Sequence, residues 1–162
     1  MENFIYSIPT TIYFGKGQIE HVAQAVRPYG KKALIVYGGG SVKKNGIFDR
    51  VTEILEHEGI AWEELGGVEP NPRIETVRKG AELCKAGNIE VVLPIGGGST
   101  IDCAKIIAAG ALYDGDAWDL VLDGKKIQAA LPIVAVLTLA ATGSEMDTAA
   151  VISDMASNNK LG

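Results

Sequence analysis

The chain has 162 residues, of which 47% are hydrophobic and 22% are charged. That composition is typical of a folded globular protein, and the length corresponds to one domain of roughly 150 residues. With 15 Lys and Arg against 20 Asp and Glu, the net charge is −5, and the absence of a basic stripe argues against a general nucleic-acid-binding protein.

The first part of the chain alternates predicted strands and helices. A short strand is predicted over residues 11–14, and a helix over residues 18–27, where apolar residues recur at helical spacing. The apolar run 33–37 ends in glycines, which is typical of a buried parallel strand. A helix from Ile47 and a strand over residues 60–65 follow.

The middle of the chain repeats this alternation. Residues 73–85 show the spacing of a helix, and residues 91–95 form a second buried strand. Residues 101–111 are predicted to be a helix whose small side chains suit close packing on a sheet. The acidic, glycine-containing segment 113–126 is predicted to be mostly loop.

The last part predicts strands over residues 132–137 and 149–153. The polar residues 157–159 are expected to form the tip of a hairpin, of whose returning arm only residues 160–162 remain. An unpaired strand edge is unfavourable, so we expect the chain to be a shortened form of a longer protein. Strands separated by helices require crossover connections, which predicts a parallel sheet with helices on both faces.

Two GGGS runs follow two of the predicted strands, and ligands of such sheets bind beyond the carboxyl ends of the strands. In the second run, Gly97 and Gly98 allow close approach of a ligand to the backbone, and the following helix offers free N–H groups. This run predicts a pyrophosphate cradle, although it is neither GxGxxG nor a P-loop. The alternative is a tight turn capped by Ser99.

The first run suggests which dinucleotide is bound. Many dinucleotide folds place an acidic residue at such a strand end to accept the ribose 2′-hydroxyl. Here Gly38 and Gly39 stand at that place, with Ser41, Lys43 and Lys44 close by. Small residues and positive charge suit a 2′-phosphate, so the sequence favours NADP(H) over NAD(H). The alternative is a solvated lysine pair after a turn.

The segment 138–145 is dense in hydroxyl groups. Thr138, Thr142 and Ser144 suit hydrogen bonds to a carboxamide or a ribose, but the same residues suit a Thr-capped helix start. Asp102 falls in the first turn of the helix after the second run, where a carboxylate stabilises the helix dipole. Contact of Asp102 with a ribose or a partner is the alternative.

Neither the N-terminus, the apolar segments nor the cysteines indicate a particular cellular compartment. The N-terminus lacks the basic and apolar regions of a signal peptide, and the apolar stretch 129–141 is too short to span a membrane. We therefore expect no membrane partner and, by default, a cytoplasmic protein. Cys84 and Cys103 have neither CxxC spacing nor a nearby His and are expected to be free buried thiols.

Four segments, in this order, resemble the iron-containing (group III) alcohol dehydrogenases: YGGGSVKKNG, GGVEPNPR, PIGGGSTIDCAK and LTLAATGSEMDTAAVIS. The opening PTTIYFGKGQIE also fits, and the nearest branch is the butanol dehydrogenase type, which reduces aldehydes. The resemblance implies an α/β fold with a Rossmann-like, mostly parallel sheet and helices on both faces. It identifies residues 1–162 as the N-terminal dinucleotide-binding domain of a dehydroquinate synthase-like fold.

The resemblance also implies a cofactor-binding set that runs from the adenosine end to the nicotinamide end of the dinucleotide: Gly38, Gly39, Ser41, Asn71, Gly97, Gly98, Ser99, Asp102, Thr138, Thr142, Ser144 and Lys160. In this set the second GGGS run holds the pyrophosphate and the first faces the adenosine ribose. Asn71 lies on the adenosine side, and Lys160 reaches the ribose or the nicotinamide. The role of Asp102 stays open.

In this family a second, helical domain supplies one Asp and three His ligands for a divalent metal, iron or zinc. This sequence has only His21 and His57, both predicted on outer parts of helices. We therefore expect the helical metal-binding domain to be absent and the isolated chain to be inactive. The parent enzyme is expected to transfer hydride between NAD(P)H and a primary alcohol or aldehyde, and to form a homodimer.

Two other functions are compatible with the same residues. The first alternative is a free-standing nucleotide-binding module. The second is a member of the glycerol dehydrogenase or dehydroquinate synthase branch. The segments GGGSVKK and ATGSE favour the aldehyde-reducing branch over the glycerol dehydrogenase and dehydroquinate synthase branch.

Overall fold

The computed structural model describes residues 8–162. Its strands are β1 Lys32–Tyr37, β2 Ala61–Leu65, β3 Val91–Gly96, β4 Val136–Leu137, β5 Ile152–Asp154 and β6 Asn159–Leu161. Its α-helices are α1 Val22–Val26, α2 Ser41–Lys44, α3 Ile47–His57, α4 Ile74–Gly87, α5 Gly98–Gly110 and α6 Ala117–Leu122. Short 3-10 helices cover Gln18–His21, Gly124–Lys126 and Ser144–Met146.

Four parallel strands form the central sheet, in the order β2-β1-β3-β4. From β1 the chain adds β2 on one side and then β3 on the other, so the direction of sheet growth reverses between β1 and β3. Such a switch point opens a crevice at the carboxyl ends of the two strands, where ligands of α/β sheets bind. The fold therefore places this switch point next to Tyr37 and Gly96.

Helices cover both faces of the sheet. Side chains of β1 alternate between the faces: Leu34 and Val36 pack against α4, α5 and α6, whereas Ala33, Ile35 and Tyr37 pack against α1 and α3. All five are buried, as expected for a parallel strand covered on both sides. The predicted parallel sheet with helices on both faces is confirmed.

Three predicted elements differ from the structure. Residues 11–14 form neither helix nor strand, and they pair with none of the described strands. The segment 113–126 contains α6, which begins at Ala117 and is capped by Asp116, whose side chain accepts a hydrogen bond from Trp118 N. The predicted strand 132–137 pairs with β3 in a regular ladder only at Val136–Leu137.

The carboxyl-terminal hairpin is confirmed. β5 and β6 pair antiparallel, from Ile152 opposite Leu161 to Asp154 opposite Asn159. The polar turn between them includes Asn158 at φ 54°, a left-handed conformation that Asn adopts more readily than most residues. Among residues 8–162, no helix is both long and apolar enough to cross a lipid bilayer.

Candidate functional site

The two GGGS runs lie side by side at the switch point. Tyr37 pairs with Ile95 in the parallel register, so the glycines that follow in β1 and β3 leave the sheet together. A Cβ on Gly38 would lie 4.0 Å from Thr100 Oγ1, at the start of α5. The fold thus brings the first and second runs to one edge, as the sequence predicts.

The second run ends in an uncapped helix. Gly97 is the N-cap residue of α5, in an extended conformation, and no side chain caps the helix. Ser99 does not cap it, because its hydroxyl donates to the Pro70 carbonyl oxygen at 2.5 Å. The first N–H groups of a helix lack intrahelical acceptors and lie at the positive end of its dipole. They can therefore receive an anion in the crevice.

Two glycines in these runs leave space that the protein does not fill. A Cβ on Gly39 would meet nothing within 4 Å, and one on Gly97 would have Leu139 Cβ as its nearest contact, at 3.8 Å. Neither residue has a left-handed φ. Packing demands glycine at Gly96, where a Cβ would lie 2.5 Å from Thr100 Oγ1. Packing within the protein therefore does not require glycine at positions 39 and 97, and a ligand can approach the backbone closely there.

The hydroxyl-rich segment covers the second run. Thr138 N donates to the Gly96 carbonyl oxygen at 3.0 Å, which continues the pairing of β3 with β4. A Cβ on Gly98 would lie 2.6 Å from Thr142 Oγ1, so the segment approaches the start of α5 closely. Thr138 and Thr142 therefore border the same crevice as the second run.

Asp102 fastens this segment to α5. Its Oδ1 accepts a hydrogen bond from Ser144 Oγ at 2.6 Å, and its Oδ2 accepts one from Val151 N at 3.0 Å. Ser144 is 3% exposed. In this arrangement Asp102 organises the chain beside the second run, and the Ser144 hydroxyl is directed to a carboxylate of the protein.

Lys105, one turn further along α5, adds a second attachment that sequence reasoning missed. Its Nζ lies 2.8 Å from Asp147 Oδ1 and donates to the Ala149 carbonyl oxygen at 2.7 Å. The hydrogen bond from Lys105 lowers the pKa of Asp147 below its usual value. Because the partners are more than 40 residues apart, no local sequence signal points to this contact.

Asn71 and Lys160 meet at the other side of the second run. Lys160 Nζ donates to Asn71 Oδ1 at 2.7 Å across a concave pocket of about 350 Å³. The pocket also includes Arg73 and Pro70, the residue that accepts the Ser99 hydroxyl. Asn71 and Lys160, which are 89 positions apart in the sequence, thus meet beside the second run.

The two lysines after the first run are not equivalent. Lys43 Nζ lies 2.7 Å from Glu64 Oε2, and the Tyr37 hydroxyl donates to the same oxygen at 3.1 Å. Lys43 also lies over the Phe48 ring, 4.3 Å from its centroid. The pair raises the pKa of Lys43 and lowers that of Glu64. Ser41 and Lys44 are exposed. The sequence-based prediction missed Glu64.

The described residues do not fit a metal centre. Within residues 8–162, no group of three or more His, Cys, Asp and Glu side chains is placed to hold a metal ion. His21 Nδ1 pairs with Gln24 Oε1 at 2.9 Å, and the His57 side chain is 85% exposed. Cys84 and Cys103 are buried free thiols, and burial raises the pKa of each to about 12.

Comparisons with known proteins agree with this geometry. A family model described as iron-containing alcohol dehydrogenase matches residues 9–162. The chain is 60% identical over 162 residues to the NADH-dependent butanol dehydrogenase A of Clostridium acetobutylicum, covering 100% of this chain and 42% of that protein. It is 43% identical over 163 residues to the NADPH-dependent aldehyde reductase YqhD of Escherichia coli, covering 99% and 41%.

A solved structure extends the similarity to three dimensions. The crystal structure of NADH-dependent butanol dehydrogenase A from Thermotoga maritima matches with a TM-score of 0.94 at 45% identity, covering 99% of this chain and 41% of that one. The chain therefore spans about two fifths of the length of the relatives it matches.

Proposed function

The chain belongs to the iron-containing alcohol dehydrogenase family, and from this membership we propose that residues 1–162 form the dinucleotide-binding domain of a longer oxidoreductase. The whole enzyme transfers hydride between NAD(P)H and a primary alcohol or aldehyde. The observation that carries the proposal is the pair of GGGS runs at adjacent strand ends, one of which opens into the uncapped helix α5.

Each part of the crevice suits one part of a dinucleotide. The N–H groups at the start of α5, at Gly98 and Ser99, suit the pyrophosphate, because an oxyanion there gains hydrogen bonds and the favourable end of the helix dipole. The open backbone at Gly38 and Gly39 suits the adenosine ribose. Asn71 lies on the adenosine side in this proposal.

The remaining groups suit the other end of the cofactor. We assign Thr138 and Thr142 to line the dinucleotide, and Lys160 to reach a ribose or the nicotinamide. Ser144 and Asp102 act one step back, because their hydrogen bond shapes the segment that carries the threonines. When bound, the nicotinamide donates or accepts the hydride, and the role of this domain is to hold it in place and exclude water.

We assign the metal site of the family to a part of the protein outside residues 1–162. Because residues 8–162 hold no suitable ligand group, we derive no metal-dependent step from them. We propose that a helical domain outside residues 1–162 supplies the ligands for iron or zinc, and that residues 1–162 alone do not turn over. The match to only 42% of the butanol dehydrogenase from Clostridium supports a second domain. A homodimer and a cytoplasmic location are parts of the same proposal.

Two features of the structure bear on the cofactor preference, in opposite directions. The sequence favours NADP(H), and the open position at Gly39 together with the exposed Lys44 supports this. The pairing of Lys43 with Glu64 acts against it, because that charge is already neutralised. The named relatives include two NADH-dependent butanol dehydrogenases and one NADPH-dependent aldehyde reductase. NADP(H) over NAD(H) therefore stays a prediction.

Calorimetric titration of the full-length protein with NADH and with NADPH tests the proposal. We expect saturable binding of both, with NADPH the tighter ligand. Binding of neither would overturn the proposed function, and tighter binding of NADH would overturn only the preference. Reduction of butanal by the full-length protein, but not by residues 1–162, is expected in parallel. Metal-dependent turnover by residues 1–162 would contradict the assignment of the metal to another domain.

A further inference from the structure

Glu64 occupies the carboxyl end of the edge strand β2, one strand away from the first GGGS run. In the parallel register it stands opposite Ile35, so its side chain lies on the sheet face covered by α1 and α3. Tyr37, two residues further along β1, is on the same face and donates its hydroxyl to Glu64 Oε2 at 3.1 Å. The carboxylate thus lies directly beside the end of β1, where the first run begins.

Lys43 reaches the same carboxylate from the other side of the run. It belongs to α2, whose first turn is bonded to the run through Lys43 N and the Gly40 carbonyl oxygen, at 3.1 Å. Its ammonium lies 2.7 Å from Glu64 Oε2 and over the rings of Phe48 and Tyr37, 4.3 and 4.9 Å from their centroids. Anion and aromatic faces both attract a cation, so they hold the ammonium against the sheet.

This arrangement matters for a ligand phosphate. A lysine near Gly39 would attract an adenosine 2′-phosphate strongly, because the phosphate carries close to two negative charges. A lysine paired with a carboxylate contributes little net charge, so the phosphate gains little attraction from it. A ribose 2′-hydroxyl is uncharged and is nearly indifferent to both. The state of the Lys43–Glu64 pair therefore acts on one dinucleotide and not on the other.

We propose that Glu64 is a specificity-determining residue of the dinucleotide site, which holds the Lys43 ammonium against the sheet and withholds its charge from a 2′-phosphorylated adenosine. This inference rests on the proposed function. Glu64 touches no cofactor in this scheme and acts through Lys43 alone. Loss of the carboxylate frees Lys43 to turn toward the phosphate, which shifts the preference toward NADP(H).

The test compares Glu64→Gln with Glu63→Gln in the full-length protein. Glu63 is the neighbouring residue of β2 and pairs with Lys32 at 2.8 Å, so Glu63→Gln removes the same charge from the same strand without touching the Lys43 pair. Calorimetry measures Kd for NADPH and NADH, and for adenosine 2′,5′-bisphosphate and 5′-AMP, which isolate the adenosine end.

Glu64→Gln is expected to tighten NADPH and the bisphosphate by about fivefold, the scale of one exposed ion pair, and to leave NADH and 5′-AMP within about twofold. Glu63→Gln is expected to change none of the four by more than about twofold. The double variant Glu64→Gln with Lys43→Met is expected to return the NADPH-to-NADH ratio to that of the unaltered protein.

Three results would overturn the inference. Equal changes for NADPH and NADH in Glu64→Gln would mean that the residue supports the fold only. A gain for NADPH that survives in the double variant would mean that its source is not Lys43. No change in the Kd of either dinucleotide in Glu64→Gln would mean that the pair has no influence. An unaltered protein that binds neither dinucleotide would overturn the proposed function and this inference with it.

Discussion

The two GGGS runs have the same sequence and different structures. The first leads through Gly40, which has a left-handed φ of 93°, into the four-residue helix α2. The second passes straight into α5, whose thirteen residues already include Gly98 and the serine of the run. A helix predicted to begin at Ile101 thus begins three residues earlier. The same tetrapeptide thus leads through a left-handed glycine into a helix of four residues in one place, and directly into a helix of thirteen residues in the other.

The residues that follow each run explain the difference. After the first run, the polar SVKK ends at Asn45 and Gly46, and Gly46 has a left-handed φ of 79° that stops the helix. After the second, α5 is apolar on nearly all sides and nine of its residues are buried, so packing extends the helix back into the glycines. The second run is therefore held at the start of a packed helix, as the proposed pyrophosphate site requires, and the first stays an open edge.

The difference between the two runs is tested most directly by introducing the same side chain, valine, at the open glycine of each run. Gly97→Val is expected to weaken NADH and NADPH alike by about 10- to 100-fold, because it blocks hydrogen bonds to a charged pyrophosphate. Gly39→Val is expected to weaken binding by less than about tenfold and to affect NADPH more than NADH, because only the ribose side is obstructed. Calorimetric Kd values for both ligands measure the two effects.

Gly124→Val is the matched control for these two variants. A Cβ there also meets nothing within 4 Å, and the residue lies in a short 3-10 helix with no assigned role in binding. It is expected to leave both Kd values unchanged. If Gly39→Val weakened dinucleotide binding more than Gly97→Val, this would contradict the proposal that the second run binds the pyrophosphate and the first faces the adenosine ribose.

A second prediction concerns the hydrogen bonds of Asp102, which hold in place the segment beside the second run. Asp102→Ala removes the acceptor of two hydrogen bonds, one of them from the buried Ser144, and is expected to lower the free energy of unfolding by about 2 kcal/mol. For a domain of this size that corresponds to a fall in Tm of roughly 4–8 °C. Thermal unfolding followed by circular dichroism measures it.

The same variant is expected to weaken dinucleotide binding, because Thr138 and Thr142 lose the support of the segment behind them. Asp102→Asn, which keeps an acceptor oxygen, is expected to lie between Asp102→Ala and the unaltered protein. Asp114→Ala removes an equal charge from an exposed site and is the control. Equal Tm values for the Asp102 and Asp114 variants would contradict the attachment.

The smallest expected effect is on the labelling of two cysteines, and it reports whether the helix that follows the second run stays folded. Burial raises the pKa of Cys103, on α5, and of Cys84, on α4, to about 12, so neither thiol forms appreciable thiolate near pH 8. Iodoacetamide is expected to label neither in the folded protein and both in guanidinium chloride. Mass spectrometry counts the labels.

In Gly97→Val, unchanged protection of Cys103 is expected to show that α5 remains folded while binding is lost. Cys84 is the internal reference, because α4 does not begin at a glycine run. Rapid labelling of Cys103 but not of Cys84 would mean that the substitution unfolds α5, and that the loss of binding has a structural origin.

The sequence predicted the elements whose pattern is long and regular. The buried strands β1 and β3 are continuous apolar runs, and α3 and α4 carry apolar residues at helical spacing. The helix α6 was missed because it has six residues, and its signal, a capping Asp116 with buried Ala117 and Leu120, is short. The prediction of a strand over residues 11–14 was wrong. These residues pair with none of the described strands, and a β-strand requires hydrogen bonds to a neighbouring strand.

The sequence by itself determined the α/β class, the two glycine runs at strand ends and the family, because periodicity and motif order are local properties of the chain. The tertiary structure alone decided that Lys43 is paired with Glu64, that Asp102 holds Ser144, and that Asn71 meets Lys160. Those partners are 21, 42 and 89 residues apart. Only the packing of strands and helices brings such charges and hydroxyls within hydrogen-bond distance, and that distance decides what each side chain is free to bind.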